Sequence, residues 1–375
     1  MLGIGPTRYS IEKAGAADLG NRSGGLISIR VVIRMTLEIG IEPARPEDLA
    51  ELSRFLTEGF QTPADAEFAA PDVLRWKLFE PRGTGAGPRG FVARDGAGAI
   101  VGHVGMVPGR FEGPGLAAPV STLHMIDWLG SRAPGQRAVG TALMRRAHQE
   151  AETQYVLVAN ARARRVTGAS GYKPVAAVPV FRKVLRPRFR FPLSLPLQPG
   201  QALRAARDAA RMVLDRGERP RATVALRRVE AFDAELGPIL DDARSRAILN
   251  PHPPALLNAV LRYPRPGLSG WHVLAGGTLI GYALLNRAGK VVDCLLEGTD
   301  PDLWHAALTA LTGELKAQGA EAAVAHGGTP WMAEALRRAG YRARHSLEFT
   351  LRDRRNLIPR GATFHLTPLE TDDAF

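Results

Sequence analysis

One order of apolar patterning occurs twice along this chain, and that repetition restricts its possible folds more than any other feature of the sequence. In the first run, Leu37, Ile39 and Ile41 alternate with Glu38 and Glu42 as a half-buried strand. Residues 46–60 open with Pro and two acids and set Leu49, Leu52, Leu56 and Phe60 along one helical face. A short helix over 71–79 follows, then strands over 91–94, 100–107 and 120–129, the first two joined by a turn at 95–98. A helix over 140–152, an apolar strand over 155–159, a short helix and a strand over 175–185 complete the run. The second run has a strand over 224–229, helices over 234–247 and 254–263, and a hairpin of 271–274 with 278–286. It continues with a strand over 291–297, a helix over 301–318, a strand over 322–325, a helix over 331–339 and a strand over 343–351. Gly340-Tyr341 precedes Phe349 much as Gly171-Tyr172 precedes Phe181. The expectation is an α/β fold, a mixed sheet with helices packed on it, in two tandem copies.

The copies span 35–185 and 222–352. Residues 1–34 have no clear periodicity and are expected to be a flexible N-terminal extension. Residues 186–221 read as a basic, Pro-rich linker running into a helix, and 353–375 as a C-terminal tail.

A length of 375 residues suits two domains that each bury a core, and 45% hydrophobic against 23% charged residues reads as globular rather than disordered. The longest apolar runs, such as 279–285, are short and broken by Gly, so no membrane partner is expected. No sustained apolar stretch opens the sequence, so a secretory signal is not expected. Cys294 is the single cysteine, which excludes an intrachain disulfide and a thiolate cluster, and nine scattered His lack the paired spacing of a zinc site. A reducing cytoplasm and no metal are the expectation.

The net charge of +12 rests on 43 Arg and only 6 Lys. The bland reading of that bias is a genome base composition that favours Arg codons, but the charge is uneven. Between Gly130 and Arg190 stand thirteen basic residues against Glu150 and Glu152, a net +11. Such a cluster attracts a polyanion, either nucleic acid or a phosphorylated small molecule.

Residues 135–144, Gly-Gln-Arg-Ala-Val-Gly-Thr-Ala-Leu-Met, lie between a predicted strand and an amphipathic helix. A helix start carries unpaired N–H groups and a partial positive charge, which together bind phosphate, and Gly140 lets backbone approach an anion. Arg137-x-x-Gly140-x-Ala142, with Pro134 three residues before it, resembles the Arg/Gln-x-x-Gly-x-Gly/Ala signature of the GNAT acyltransferases, and the element order over 36–185 resembles their fold. The resemblance implies that Arg137, Ala138, Val139, Gly140, Thr141 and Ala142 hold the pyrophosphate of acetyl-CoA or another acyl-CoA as co-substrate. It implies that the strand end Leu129, Gly130, Ser131 and Arg132 pairs with the pantetheine arm as an added strand would. A second stretch, Asn160-x-x-Ala163 with Gly171-Tyr172, is similar to the family's Asn-x-x-Ala-x-x-x-Tyr-x-x-x-Gly-Phe, which adds Asn160 as a cofactor contact or a helix cap. The family's thiolate-protonating Tyr falls on Thr167, a poor acid, which leaves water or no acid for that step.

Attack by an amine on a thioester calls for a proton acceptor. Asp127 and His124 on the 120–129 strand are the candidate bases, on opposite faces because they are three apart, and His103 on the neighbouring strand is a third. In the second copy the helix start at 297–302 lacks the Arg-x-x-Gly-x-Ala pattern and brings Glu297, Asp300 and Asp302; Leu336 and Thr329 stand at the Tyr and Asn positions. That copy is expected to keep the fold without the cofactor site.

The resemblance implies an N-acyltransferase acting on a primary amine of a small molecule, as a monomer with an internal pseudo-dimer or as a homodimer. Tandem proteins of this kind resemble bacterial acyltransferases associated with surface polysaccharide, which implies an amino sugar. Two other readings stand beside it: a non-catalytic acyl-CoA-binding or scaffolding protein, and a nucleic-acid binder. The last is the weakest, for want of an aromatic-interleaved motif or a recognition helix.

Overall fold

The computed structural model describes residues 7–15, 33–80, 88–133, 136, 138–158, 161–186, 206–207, 209–211 and 215–371. They fall into two compact units, one drawn from Met1–Glu80, Ala86–Val107 and Met125–Glu150, the other from Pro81–Gly85, Pro108–His124 and Ala151–Phe375.

In the first unit β1 (Thr7–Gly15) pairs antiparallel with β2 (Ile33–Pro43), which pairs in turn with β3 (Gly90–Arg94) and β3 with β4 (Ile100–Phe111). β5 (Val120–Gly130) ends in this unit and leads to α3 (Val139–Ala147). α1 (Leu49–Phe60) and α2 (Pro71–Leu78) bury Leu52, Leu56 and Leu74 with Val92 and Leu129. The Arg94 guanidinium ties the sheet to α1, bonding Glu42 at 3.0 Å, Glu51 at 3.1 Å and Asp48. Val139 and Leu143 of α3 lie so close over Gly102 that a Cβ there would meet both at 2.6 Å.

Two expectations change at the chain ends. Residues 7–15, part of the stretch taken as a flexible extension, form a strand, with Tyr9 opposite Ile39 and Ile11 opposite Leu37. Tyr9 and Ile11 are an alternation too short to register in a polar context. Nor are residues 353–371 a free tail: β15 (Phe364–His365) pairs with β9 (Ile248–Leu249), and Ile358, Phe364 and Leu366 enter a core with Phe111, Tyr155 and Phe349. Apolar side chains at these positions order the segment because they leave water. Most of the expected linker and its helix lie outside the described residues.

The second unit holds β6 (Thr153–Val158), α4 (Ala161–Ala169), β7 (Lys173–Val184), β8 (Ala225–Val229), α5 (Gly237–Arg246) and α6 (Pro254–Leu261). It continues with β10 (Leu268–Ala275), β11 (Thr278–Asn286), β12 (Lys290–Leu296), α7 (Pro301–Ala317), β13 (Ala322–His326), α8 (Pro330–Arg338) and β14 (Arg342–Asp353). Its sheet runs from the start of β5 through β6, β14, β7, β13, β12, β11 and β10 to β8. The final strands of the two copies are therefore exchanged. β14 lies where separate copies would have β7, with Phe349 opposite Leu157 of β6 and Ala176 of β7. β7 lies beside β13, with Phe181 opposite Ala325. This exchange groups residues 151–185, first-copy by element order, with the second unit.

The repeat extends to hydrogen bonds. Gly171 and Gly340 end α4 and α8 with φ of 87° and 83°, a left-handed stop that glycine takes freely. The next N–H folds back in each case, Tyr172 to Thr167 O at 3.1 Å and Tyr341 to Leu336 O at 2.9 Å.

Candidate functional site

The end of β5 and the start of α3 meet as bare backbone. A Cβ on Gly130 would stand 2.7 Å from the Gly140 nitrogen and 3.0 Å from its Cα, so the approach requires glycine at 130. At 140 a Cβ would touch only the Trp128 ring, at an ordinary 3.6 Å, and the backbone there is not left-handed. Neither packing nor backbone angle therefore explains Gly140. The Trp128 indole N–H donates to Gly140 O at 3.2 Å, fixing the first helical turn to the strand.

Ala138, at the N-cap, has no side chain to satisfy the first-turn amides. Val139 N–H bonds Gln136 O at 3.1 Å and Ala142 N–H bonds Ala138 O at 3.0 Å. Val139 and Ala142 face the core and Thr141 is exposed. Leu129 is buried against α1, where Gly59 makes room for it; Ser131 N–H bonds Val101 O at 2.8 Å, and Arg132 is exposed. Arg137 and Asn160, like Pro134 and Gly135, lie outside the described residues. Pairing of β5 with β6 extends, among the described residues, only from Thr122 to His124, six residues short of the end of β5.

Two of the candidate bases, Asp127 and His103, are held by polar contacts. Asp127 is buried with φ of 47°, and its Oδ2 lies 3.0 Å from Nζ of Lys77, itself buried and donating also to Phe68 O at 3.2 Å. His103 is wholly buried, with Nδ1 3.1 Å from Asp127 O and no hydrogen-bond partner for Nε2; burial lowers its pKa, against the opposing pull of the Asp127 charge. His124 lies flat on Tyr155, ring centroids 4.7 Å apart. Sequence reasoning missed Lys77. Its signal is position: a Lys among Val73, Leu74, Trp76 and Leu78, on the buried side of α2, calls for a buried acceptor. Thr167 is buried and its hydroxyl is turned back into its own helix, 3.0 Å from Ala163 O and 3.2 Å from Arg164 O.

At the corresponding helix start of the second copy, an Asp side chain caps the first turn. Asp300 Oδ1 accepts the Asp302 N–H at 2.8 Å, and Asp302 binds Arg338 at 2.6 Å. Among the described residues no group of three or more His, Cys, Asp or Glu is placed to hold a metal, and no helix is long and apolar enough to cross a membrane.

No protein-family model matches the chain. No curated protein matches it in sequence either. Solved structures match in fold. A GCN5-related N-acetyltransferase from Anabaena variabilis is 11% identical, covering 84% of this chain and 72% of its own, with a TM-score of 0.54. N-myristoyltransferase from Saccharomyces cerevisiae, solved with bound myristoyl-CoA, is 12% identical, covering 92% of this chain and 88% of its own, with a TM-score of 0.56. The fold is that of the GNAT acyl-CoA N-acyltransferases, present here as two tandem copies.

Proposed function

We propose that this protein is an acyl-CoA-dependent N-acyltransferase that moves an acyl group, acetyl in the first instance, to a primary amine of a small molecule. The observation that carries the reading is Gly140: a glycine that the protein's own packing does not require, at an uncapped helix start, leaves room for a phosphate. Backbone N–H groups of 137–142 hold the pyrophosphate, the basic cluster around Arg132 and Arg137 balances its charge, and the β5 end at 129–132 pairs with the pantetheine arm.

In the reaction the amine nitrogen attacks the thioester carbonyl carbon. The C–N bond forms, the C–S bond breaks and its electron pair leaves on sulfur, while the amine proton passes to water or to the departing thiolate. Water suits this step because the Thr167 hydroxyl is committed to its helix and the Asp127 carboxylate to Lys77. A single active site per chain, in a monomer or each subunit of a homodimer, follows from the filled helix start at Asp300. The free, buried Cys294 is compatible with a cytoplasmic setting.

A second reading, an acyl-CoA-binding protein without turnover, is favoured by the buried hydroxyl of Thr167. Incubation with acetyl-CoA and pooled primary amines, amino sugars included, separates the two by mass spectrometry. Acylated product with free coenzyme A is expected; binding without product favours the second reading.

A further inference from the structure

Each copy buries a carboxylate–cation pair on the same strand of its fold, and the pair recurs in the copy whose helix start is capped by its own Asp300. In the first copy β5 supplies Asp127, held by Lys77 from the second helix, α2, while His103 on β4 reaches its carbonyl. In the second, β12 supplies Asp293, whose Oδ2 lies 2.8 Å from Nδ1 of His252, two residues before the second helix, α6. Tyr282 on β11 donates to that same oxygen at 2.9 Å. His103 and Tyr282 hold equivalent register positions. His103 lies opposite Val92 and Gly105 opposite Gly90, as Tyr282 lies opposite His272 and Leu284 opposite Gly270. All six side chains are buried. A proton acceptor for acyl transfer has no reason to recur in a copy that lacks the Arg-x-x-Gly-x-Ala pattern and caps its helix start with a carboxylate, whereas a strand clamp does.

We propose that Lys77, His103 and Asp127 form a positioning clamp for the acyl-CoA strand and take no proton from the acceptor; this rests on reading the β5–α3 turn as the acyl-CoA site. With φ of 47°, Asp127 is in a conformation rare for residues other than glycine, and one such residue breaks the regular run of a strand. Both of its polar ends are held, the carboxylate by the Lys77 ammonium and the carbonyl by His103. A carbonyl oxygen only accepts, so Nδ1 of His103 is the donor and carries the ring proton. Immediately downstream are Trp128, whose indole ties down Gly140, and Gly130, whose backbone lies against that of Gly140. The clamp acts through these residues on where the thioester comes to rest.

Acetyl-CoA calorimetry and steady-state kinetics on the full chain test this, with the Lys77→Met/Asp127→Asn double variant and His103→Asn. Asn tolerates the left-handed backbone and Met keeps the apolar stem of Lys77, so no buried charge is left alone. His103→Asn keeps both charges and carries the test if the double variant does not fold. Both variants should raise the Kd and KM for acetyl-CoA about tenfold, with kcat within about threefold and the acid limb of its pH profile unmoved. A fall in kcat of about a hundredfold or more, or a lost acid limb, overturns the clamp and makes the base Asp127 if seen in the double variant, or His103 if seen in His103→Asn. An unchanged Kd in both variants also overturns it. The binding measurements need no acceptor; if the wild type itself binds no acetyl-CoA, the acyl-CoA reading fails first and leaves the clamp nothing to position.

Discussion

Gly130 and Gly140 touch backbone to backbone, and a Cβ on the first would come within 2.7 Å of the amide nitrogen of the second. Their substitutions should therefore separate stability from binding. Gly130→Ala should cost about 1–3 kcal/mol, lowering Tm by several degrees, because backbone cannot yield to the added carbon. Gly140→Ala should leave Tm unchanged or slightly raised, since alanine favours a helix, while weakening coenzyme A binding about tenfold. Thermal melts beside calorimetry read both quantities.

The exchange of β7 and β14 makes each copy depend on the other for a strand. Fragments cut near residue 200 should each lack a cooperative unfolding transition and should recover it together as a one-to-one complex. A fragment beginning near residue 201 that melts cooperatively alone would show that β14 can return to its own copy.

His252 bridges Asp293 and Glu370, 2.8 Å from each, and joins the C-terminal turn to β12. Burial alone would lower its pKa, but the two carboxylates outweigh it and raise it to about 10. The folded value exceeds the unfolded one of about 6.5, so this stabilisation is full below pH 6.5 and is lost as pH rises toward 10. Asp293 acts at the other end: His252 holds its pKa below the ordinary carboxylate value, against burial, and its contribution fades as pH falls below about 4. Urea midpoints between pH 6 and 10 should decline more steeply for the wild type than for His252→Gln. Parallel declines would assign the alkaline loss to other groups.

Thr167→Val should leave kcat within about twofold, because the hydroxyl already bonds inside α4 and no acid is removed. A loss of about a hundredfold would return Thr167 to the reaction as a proton donor.

The element order and the doubling were legible because helices and strands write different periods into sequence, and Arg137-x-x-Gly140-x-Ala142 marked one helix start among many. The exchange was not legible. β7 and β14 are both twelve-residue strands that follow a Gly-Tyr stop, so either could complete either sheet, and only long-range packing decides. The pairing of Lys77 with Asp127 spans 50 residues and that of His252 with Asp293 spans 41, with no spacing rule to join them. Periodicity also reads Asp127 as a regular strand position, whereas its backbone is left-handed.

The most direct test of the central claim is a calorimetric titration of the full chain with coenzyme A, beside Gly140→Glu. One molecule per chain should bind the wild type, because Asp300 caps the second helix start and, with Asp302 beside it, places negative charge where a phosphate would sit, and Gly140→Glu should abolish binding while the melt stays cooperative. Two equivalent sites, or an affinity untouched by a carboxylate at 140, would contradict it.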